Sequence, residues 1–252
     1  TVIYSLESNR QYQVDYHVYA NGVLAVTAVF HGQGKDGYLI DLPRIGHRFR
    51  VPPEFNKIEY FGRGLEENYW DRFWSSHVNR YFTTAEEMYF PYVRPQENGH
   101  HTGARWFSLQ NGAEEGLLVV AKKNSLNEEA FEFNVLRNSV EDFDDEDQPN
   151  IQRQWSNFED CFHRPQKKCI HDEESAKNNL RRQHHVNHIS FRDFIEVNVD
   201  YKMMGIAGFD SWGDKPLTEN TLPSDRDYSY GFLMVPIKSR DEIDEQLKYN
   251  YD

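Results

Sequence analysis

The sequence contains only two cysteines, Cys161 and Cys169, in 252 residues. Two cysteines are too few for a disulfide scaffold, and they leave the compartment open between cytoplasm and periplasm. No apolar run approaches the roughly 20 residues that a membrane-spanning helix needs, and no signal peptide is visible at Thr1. We therefore expect neither a disulfide-stapled fold nor a chain that crosses a membrane.

Basic residues are also scarce, since 28 Lys and Arg stand against 41 Asp and Glu and give a formal net charge of −13. Proteins that bind nucleic acid use Lys and Arg to replace phosphate counterions, and anionic membranes attract polybasic segments. The composition therefore predicts neither nucleic acid nor membrane as a partner. Solubility is the simplest explanation of the negative charge.

Aromatic residues are abundant, with 15 Tyr, 17 Phe and 5 Trp, and they can bury a large apolar core. The dominant hydrophobic period is two, which is the period of a β-strand. Asn21-Gly22 is a strong hairpin signal. The alternation predicts strands over residues 12–18, 24–30, 57–61, 116–121, 131–136, 194–201 and 228–237.

Strands do not alternate with helices, which disfavours a doubly wound sheet or a TIM barrel. We predict an all-β antiparallel sandwich over residues 1–239 and a tail over 240–252, within which residues 240–247 either form a short helix or are disordered. Two long loops are predicted, over residues 62–105 and 141–188, and the second can contain a short helix near 172–182.

A cysteine–histidine pattern lies in the second loop. Cys161 and His163, and then Cys169 and His171, are each two residues apart, so the members of a pair face the same way in an extended chain. Such a set can form a tetrahedral zinc site, but its spacing matches no common zinc-finger pattern. An incidental polar loop is the favoured interpretation, and a Cys161–Cys169 disulfide stays open. No cofactor is predicted.

Carboxylate pairs are the second candidate chemistry, because glycosidases use two carboxylates at a fixed separation. The first loop contains Glu66, Glu67, Asp71 and Glu97. Structural or solvated roles are favoured for them, because the chain has many acidic residues and pairs arise by chance. Asn127-Glu128 resembles a dipeptide of barrel glycosidases, but it precedes an antiparallel strand. No Gly-x-Ser-x-Gly elbow or phosphate-binding loop occurs.

Trp212 lies in a glycine-rich loop over residues 205–214. Sugar rings stack on aromatic faces, so a tryptophan at a loop tip suits sugar recognition, but from composition alone a lid over a strand end is the favoured interpretation.

Four motifs in order resemble the C-terminal domain of the glycoside hydrolase family 2 β-galactosidases, which also occurs as a separate small chain. Residues 42–46 read Leu-Pro-Arg-Ile-Gly, and residues 60–72 contain Gly-Arg-Gly-Leu-Glu-Glu-Asn-Tyr-Trp-Asp-Arg. Residues 92–99 read Tyr-Val-Arg-Pro-Gln-Glu-Asn-Gly, with Gly103 and Arg105 following in register. Residues 204–212 read Met-Gly-Ile-Ala-Gly-Phe-Asp-Ser-Trp. Leu65 replaces a usual proline, and Ala207 replaces a glycine.

The resemblance implies a β-supersandwich related to the galactose mutarotase fold, truncated at its N-terminus. It implies a partner, the catalytic TIM-barrel domain or large subunit, and a galactoside substrate. Trp212 matches a tryptophan that contacts the aglycone side of the substrate. Both catalytic glutamates of the family lie in the barrel, so we expect no catalytic residue here. The alternatives are an independent carbohydrate-binding module and, with less support, an aldose mutarotase-type epimerase.

Overall fold

A computed structural model describes residues 1–6, 10–32, 41–93, 95–143, 186, 189–208 and 214–249. Twelve strands lie in these ranges: β1 Val2–Ser5, β2 Gln11–Val18, β3 Leu24–His31, β4 Arg44–Val51, β5 Lys57–Gly64, β6 His77–Thr84, β7 His101–Ala104, β8 Trp106–Gln110, β9 Gly116–Ala121, β10 Phe131–Leu136, β11 Ile195–Met203 and β12 Tyr228–Ile237. One short helix, α1 Ile243–Gln246, follows them. Among the described residues no helix is long and apolar enough to span a bilayer.

The strands form two sheets in which the paired strands are antiparallel. The larger sheet has the order β1-β2-β3-β12-β9-β8-β5-β6, and the smaller has the order β4-β11-β10-β7. The hairpin between β2 and β3 turns at Gly22, whose φ is +86°, in line with the Asn-Gly signal. The prediction of an all-β antiparallel sandwich is confirmed, and each predicted strand is present. The N-terminal truncation and the boundary at residue 239 stay predictions.

A single large core fills the space between the sheets. Phe107 of β8 stacks on Phe133 of β10 with ring centroids 4.7 Å apart and planes 10° apart. Alternate residues of β11, among them Val197 and Val199, enter this core. The pleat of a strand explains the pattern, because every second side chain faces the partner sheet.

The opposite face of β11 is polar but buried. Glu196, Asn198 and Asp200 lie there, as the alternation predicted, yet each is less than 5% exposed. Arg50 Nε lies 2.9 Å from Glu196 Oε2, so the guanidinium compensates the charge of this buried carboxylate. Buried charges persist when they are paired and hydrogen-bonded. Strand β11 therefore has one apolar face in the core and a second face that is polar and buried.

The prediction of one long loop over residues 62–105 is wrong, because β6 and β7 lie within it. The polar second face of β11 and the short β7 position the site described next. The predicted helix at 172–182 lies outside the described residues.

Candidate functional site

One cleft collects residues from all four motifs. It has a volume of about 510 Å³ and lies where β11 ends. The first motif contributes Pro43 and the second Arg72, and the third and fourth contribute Tyr92, Gln96, Glu97, Met204, Gly205, Ile206, Ala207 and Gly208. Because segments far apart in sequence meet here, this cleft is the candidate functional site.

Asn68 is the buried centre of the second motif. Its amide nitrogen donates to the carbonyl oxygens of Arg63, at 3.2 Å, and Glu66, at 3.1 Å. Its oxygen accepts from the backbone N–H and the hydroxyl of Thr102 at 2.9 and 2.6 Å. Asparagine suits this position because its amide carries donors and an acceptor together. These bonds fix the turn after β5 against β7, so the next residues project from a defined position.

Asp71 and Arg72 hold one residue of the fourth motif from two sides. Asp71 Oδ2 accepts a hydrogen bond from the N–H of Ala207 at 2.8 Å, and the Arg72 guanidinium donates to the Ala207 carbonyl oxygen. Gly205 leaves room for this contact, since a Cβ there would lie 2.8 Å from Asp71 Oδ2. The backbone that leads into residues 209–213 is therefore anchored by a carboxylate and a guanidinium. We call this contact the Asp71–Arg72 clamp.

The backbone turns sharply at the clamp. Ala207 has φ +53° and Gly208 has φ +87°. Both values lie in the left-handed region, which costs a residue with a Cβ about 1 kcal/mol. Asn220 adds a further anchor, because its carbonyl oxygen accepts from the N–H of Gly205 at 2.8 Å.

Glu67 joins the second motif to the third. Its Oε2 accepts from the N–H of Gly99 at 2.7 Å and from the Tyr69 hydroxyl at 3.2 Å, and its Oε1 accepts from the Tyr92 hydroxyl. Burial, together with this carboxylate, raises the pKa of Tyr92 well above its usual value. A carboxylate with three donors shapes the loops around it.

Arg44 lies between two carboxylates beneath the cleft. Its Nε is 3.3 Å from Asp200 Oδ2, and its Nη2 is 3.5 Å from Glu97 Oε2. The Asp200 contact is a charge contact, since neither Asp200 oxygen makes a well-aligned hydrogen bond within the described residues. Burial raises the pKa of Asp200 to about 6, although Arg44 acts against the shift.

A family model for the β-galactosidase small chain matches residues 1–234. The chain belongs to this family. The resemblance inferred from the four motifs is therefore confirmed.

The curated relatives are named β-galactosidases. A β-galactosidase of Streptococcus thermophilus is 30% identical over 226 residues, which are 90% of this chain and 17% of the relative. A β-galactosidase of Priestia megaterium is 27% identical over 197 residues, which are 78% of this chain and 15% of the relative. A β-galactosidase of Vibrio cholerae is 46% identical over 72 residues, which are 29% of this chain and 7% of the relative. The chain thus spans less than a fifth of the length of these relatives.

Trp212, the residue that the small-chain resemblance singles out, lies outside the described residues. Its attachment points are described, because Gly208 and Asp214 flank the segment 209–213 and both line the cleft. The clamp on Ala207 comes immediately before it. Sequence patterns gave the motifs, but the clamp joins positions 136 residues apart, and no local signal predicts such a pair.

The four carboxylates predicted from the first loop have different surroundings and do not form one site. Glu67 and Asp71 bond to loop backbone, Glu97 lies by Arg44, and Glu66 is exposed. That none of them is catalytic stays a prediction. Cys161, His163, Cys169 and His171 lie outside the described residues, and within these no group of three or more His, Cys, Asp or Glu is arranged to hold a metal ion.

A buried histidine–glutamate pair was missed by sequence reasoning. His100 Nε2 lies 2.9 Å from Glu132 Oε2, and the same oxygen accepts from the N–H of Met203 at 2.8 Å. The His100 ring stacks on Tyr69 with centroids 5.5 Å apart. His100 is fully buried, so the pair supports the floor of the site and is closed to solvent on the histidine side.

Proposed function

We propose that this chain is the accessory part of a β-galactosidase and completes an active site whose catalytic barrel belongs to another domain or subunit. The substrate is a terminal β-galactoside such as lactose. The barrel supplies the acid and the nucleophile, and Trp212 contacts the aglycone side. The chain alone does not hydrolyse the substrate.

The observation that carries this proposal is the convergence of the four motifs on one cleft. Both flanks of the Trp212 segment line that cleft, and the Asp71–Arg72 clamp holds the backbone of Ala207, two residues before that segment begins. An aromatic ring works as a sugar platform only when its backbone is held in place, because ordering a loop on binding costs free energy.

The first experiment measures hydrolysis of a chromogenic galactoside by the purified chain, alone and after mixing with the catalytic region of the same enzyme. We expect turnover only in the mixture. Turnover by the isolated chain that Glu66→Gln or Glu97→Gln abolishes would overturn the accessory role.

The second experiment tests Trp212 in the assembled enzyme. Trp212→Ala should raise KM for lactose by about tenfold, which corresponds to about 1.4 kcal/mol of lost stacking. A galactoside with a small alkyl aglycone should be affected less. Phe82→Ala is the matched control, since Phe82 is an exposed aromatic residue on β6 outside the cleft. Equal effects of both variants would contradict the aglycone contact.

The third experiment tests the clamp as a positioning device. Asp71→Asn keeps the shape of the side chain and an oxygen for the Ala207 N–H, whereas Asp71→Ala removes the acceptor. We expect Asp71→Ala to raise KM for lactose, Asp71→Asn to restore most of the loss, and Asp71→Ala to add little in a Trp212→Ala background. Non-additivity of this kind is the signature of two residues acting as one unit. Additive effects would mean that Asp71 acts without Trp212.

A mutarotase-type epimerase is the second candidate, because the His100–Glu132 pair combines an imidazole with a carboxylate, the two groups of an acid–base pair. Because His100 is fully buried, the epimerase ranks below the accessory role. Polarimetry on fresh α-galactose decides, since rapid equilibration that Glu132→Gln abolishes would favour the epimerase.

A further inference from the structure

A second cleft lies on the other side of the turn that carries the clamp. It has a volume of about 620 Å³, within the size range of small-ligand sites. Trp70 and Phe73 line this second cleft, whereas Arg72 lines the first. Of two neighbouring residues on β11, Lys202 lines the second cleft and Met203 lines the first. The two clefts are therefore neighbours that share their walls.

Trp74 stands beside the second cleft with 85% of its surface exposed. Its ring centroid lies 5.0 Å from that of Phe73, which lines the cleft. A tryptophan rarely remains so exposed, because its ring carries a large apolar area. An exposed ring of this size offers a flat face to a ligand with an apolar side.

The rings inside the cleft are held in place by cations. The Lys202 ammonium lies 4.2 Å from the centroid of the Trp70 ring, and the Arg63 guanidinium lies 4.4 Å from that of Phe73. Such contacts stabilise the rings electrostatically. They give the aromatic wall a fixed geometry before any ligand arrives.

Polar side chains also line the second cleft. Asn124 pins the loop before β10, because its oxygen accepts from the N–H groups of Leu126 and Glu128 at 2.9 and 3.0 Å. Its amide nitrogen donates to Glu128 Oε2 at 3.2 Å, so the carboxylate of Glu128 is oriented at the cleft. Arg105, on the same cleft, supplies a planar set of donors.

The charges of the lining balance. Three cationic side chains, Arg63, Arg105 and Lys202, stand with three carboxylates, Glu128, Glu129 and Glu132. A lining without net charge does not favour a phosphate or a polyanion. Planar donors and acceptors beside an exposed aromatic face suit a neutral ligand with many hydroxyls and an apolar ring face.

We infer that the second cleft is a carbohydrate site for a neutral pyranose unit, with Trp74 as stacking platform and Glu128 as hydroxyl acceptor. The site does not depend on Trp212 or on a catalytic partner.

The test labels the whole chain with 5-fluorotryptophan and follows the ¹⁹F spectrum during titration with methyl β-galactoside and with lactose. Single Trp→Phe substitutions assign the five resonances. Saturable shifts are expected for Trp70 and Trp74, with none for Trp106, which lies in another apolar cluster. Galacturonic acid tests the charge argument and should bind more weakly than the neutral sugars.

Variants separate this site from the first cleft. Trp74→Ala and Glu128→Ala should each weaken sugar binding at the second cleft about tenfold, which is about 1.4 kcal/mol, while Trp212→Ala and Phe82→Ala leave it unchanged. Unchanged melting temperatures show that the variants remain folded. The proposal fails if no resonance saturates, if only the Trp212 resonance responds, or if Trp74→Ala leaves binding intact. Weaker assembly with the catalytic region in Trp74→Ala, with sugar binding unchanged, would make Trp74 a protein contact instead.

Discussion

At the scale of single residues, small side chains make room for buried charges. Gly46 of β4 lies opposite Asp200 of β11 in the ladder. A Cβ at Gly46 would lie 1.8 Å from Asp200 Oδ1. Arg44 is the cation that compensates Asp200. The glycine therefore leaves the space that the Asp200 carboxylate occupies in this ion pair.

We predict that Gly46→Ala destabilises the protein by about 1–3 kcal/mol, because overpacking displaces the buried carboxylate. Gly112→Ala is the control, since a Cβ there meets nothing within 4 Å, and it should change stability by less than about 0.5 kcal/mol. Urea unfolding of the two variants measures both values. Equal stabilities would show that Asp200 moves aside without cost.

His47 provides a pH-dependent test. Tyr12, Tyr16, Tyr230 and Phe232 surround its ring, and burial lowers the pKa of His47 to about 4 from its usual 6.5. Between these values the unfolded chain binds a proton that the folded chain does not, so this contribution to stability is lost as pH falls from 6.5 to 4.

We expect the stability of His47→Gln to fall less on acidification through that window than the stability of the original chain. Asp200, whose pKa is raised to about 6, makes a contribution to stability that increases on acidification. This contribution is present in both proteins, so it cancels when their pH dependences are subtracted. Urea titrations at several pH values between 4 and 7 give the two slopes. Identical slopes would contradict the assigned pKa.

At the scale of elements, the strands with one apolar face were predictable. The alternation in β2, β3, β11 and β12 is visible in the sequence and matches the observed strands. In β6 the apolar residues Val78 and Phe82 are exposed, so this strand lacks the alternation of buried apolar and exposed polar residues that predicts a strand. The four residues of β7 include a glycine and are buried almost throughout, which removes the alternation as well.

The chain after β12 packs on the larger sheet. Ile243 of α1 is completely buried in a cluster with Trp106 and Leu233. Arg240 Nε donates to Glu59 Oε2 at 2.8 Å. The helical option predicted for the tail is confirmed, and its packing is a tertiary feature that periodicity over a few residues does not show.

We predict that Ile243→Ala costs about 2–5 kcal/mol, the range for removing a large aliphatic side chain from a core. Leu217→Ala is the control, because Leu217 is 53% exposed and should cost less than about 0.5 kcal/mol. Chemical denaturation measures the difference. A small effect at Ile243 would mean that residues after 239 are independent of the sandwich, as the predicted boundary implies.

At the scale of the whole molecule, the two sheets share one core. The stacked Phe107 and Phe133 rings bridge β8 and β10, and the core cluster contains residues of both sheets. The sheets therefore stabilise each other and should unfold together.

We predict one thermal transition, at the same temperature by far-ultraviolet circular dichroism and by tryptophan fluorescence. Phe133→Ala should cost about 3–5 kcal/mol and shift both probes equally, whereas Val93→Ala, at a residue 79% exposed, should shift neither. Two separated transitions would show that the sheets fold as independent units.

The family and the fold class were available from the sequence, whereas the role of Trp212 stays a prediction. The meeting of the four motifs at one cleft required the fold, because Pro43, Arg72, Glu97 and Ala207 come from separate segments. The second cleft was not predicted, since Trp74 belongs to none of the four motifs and Glu128 was noted only in the Asn127-Glu128 dipeptide, and the residues that line the cleft come from separate segments.

The turn that separates the two clefts has a kinetic consequence. Asp71 and Arg72 hold the backbone of the first cleft, while Trp70 and Phe73 form the wall of the second. If ligands bound in the two clefts are coupled through this short turn, thermodynamic linkage makes their influence on each other reciprocal. If a free sugar in the second cleft changes substrate affinity in the first by some factor, substrate changes the affinity for free sugar by the same factor. Rate curves of the assembled enzyme would then depart from a simple hyperbola as sugar accumulates, and substitutions within the turn would alter that curvature.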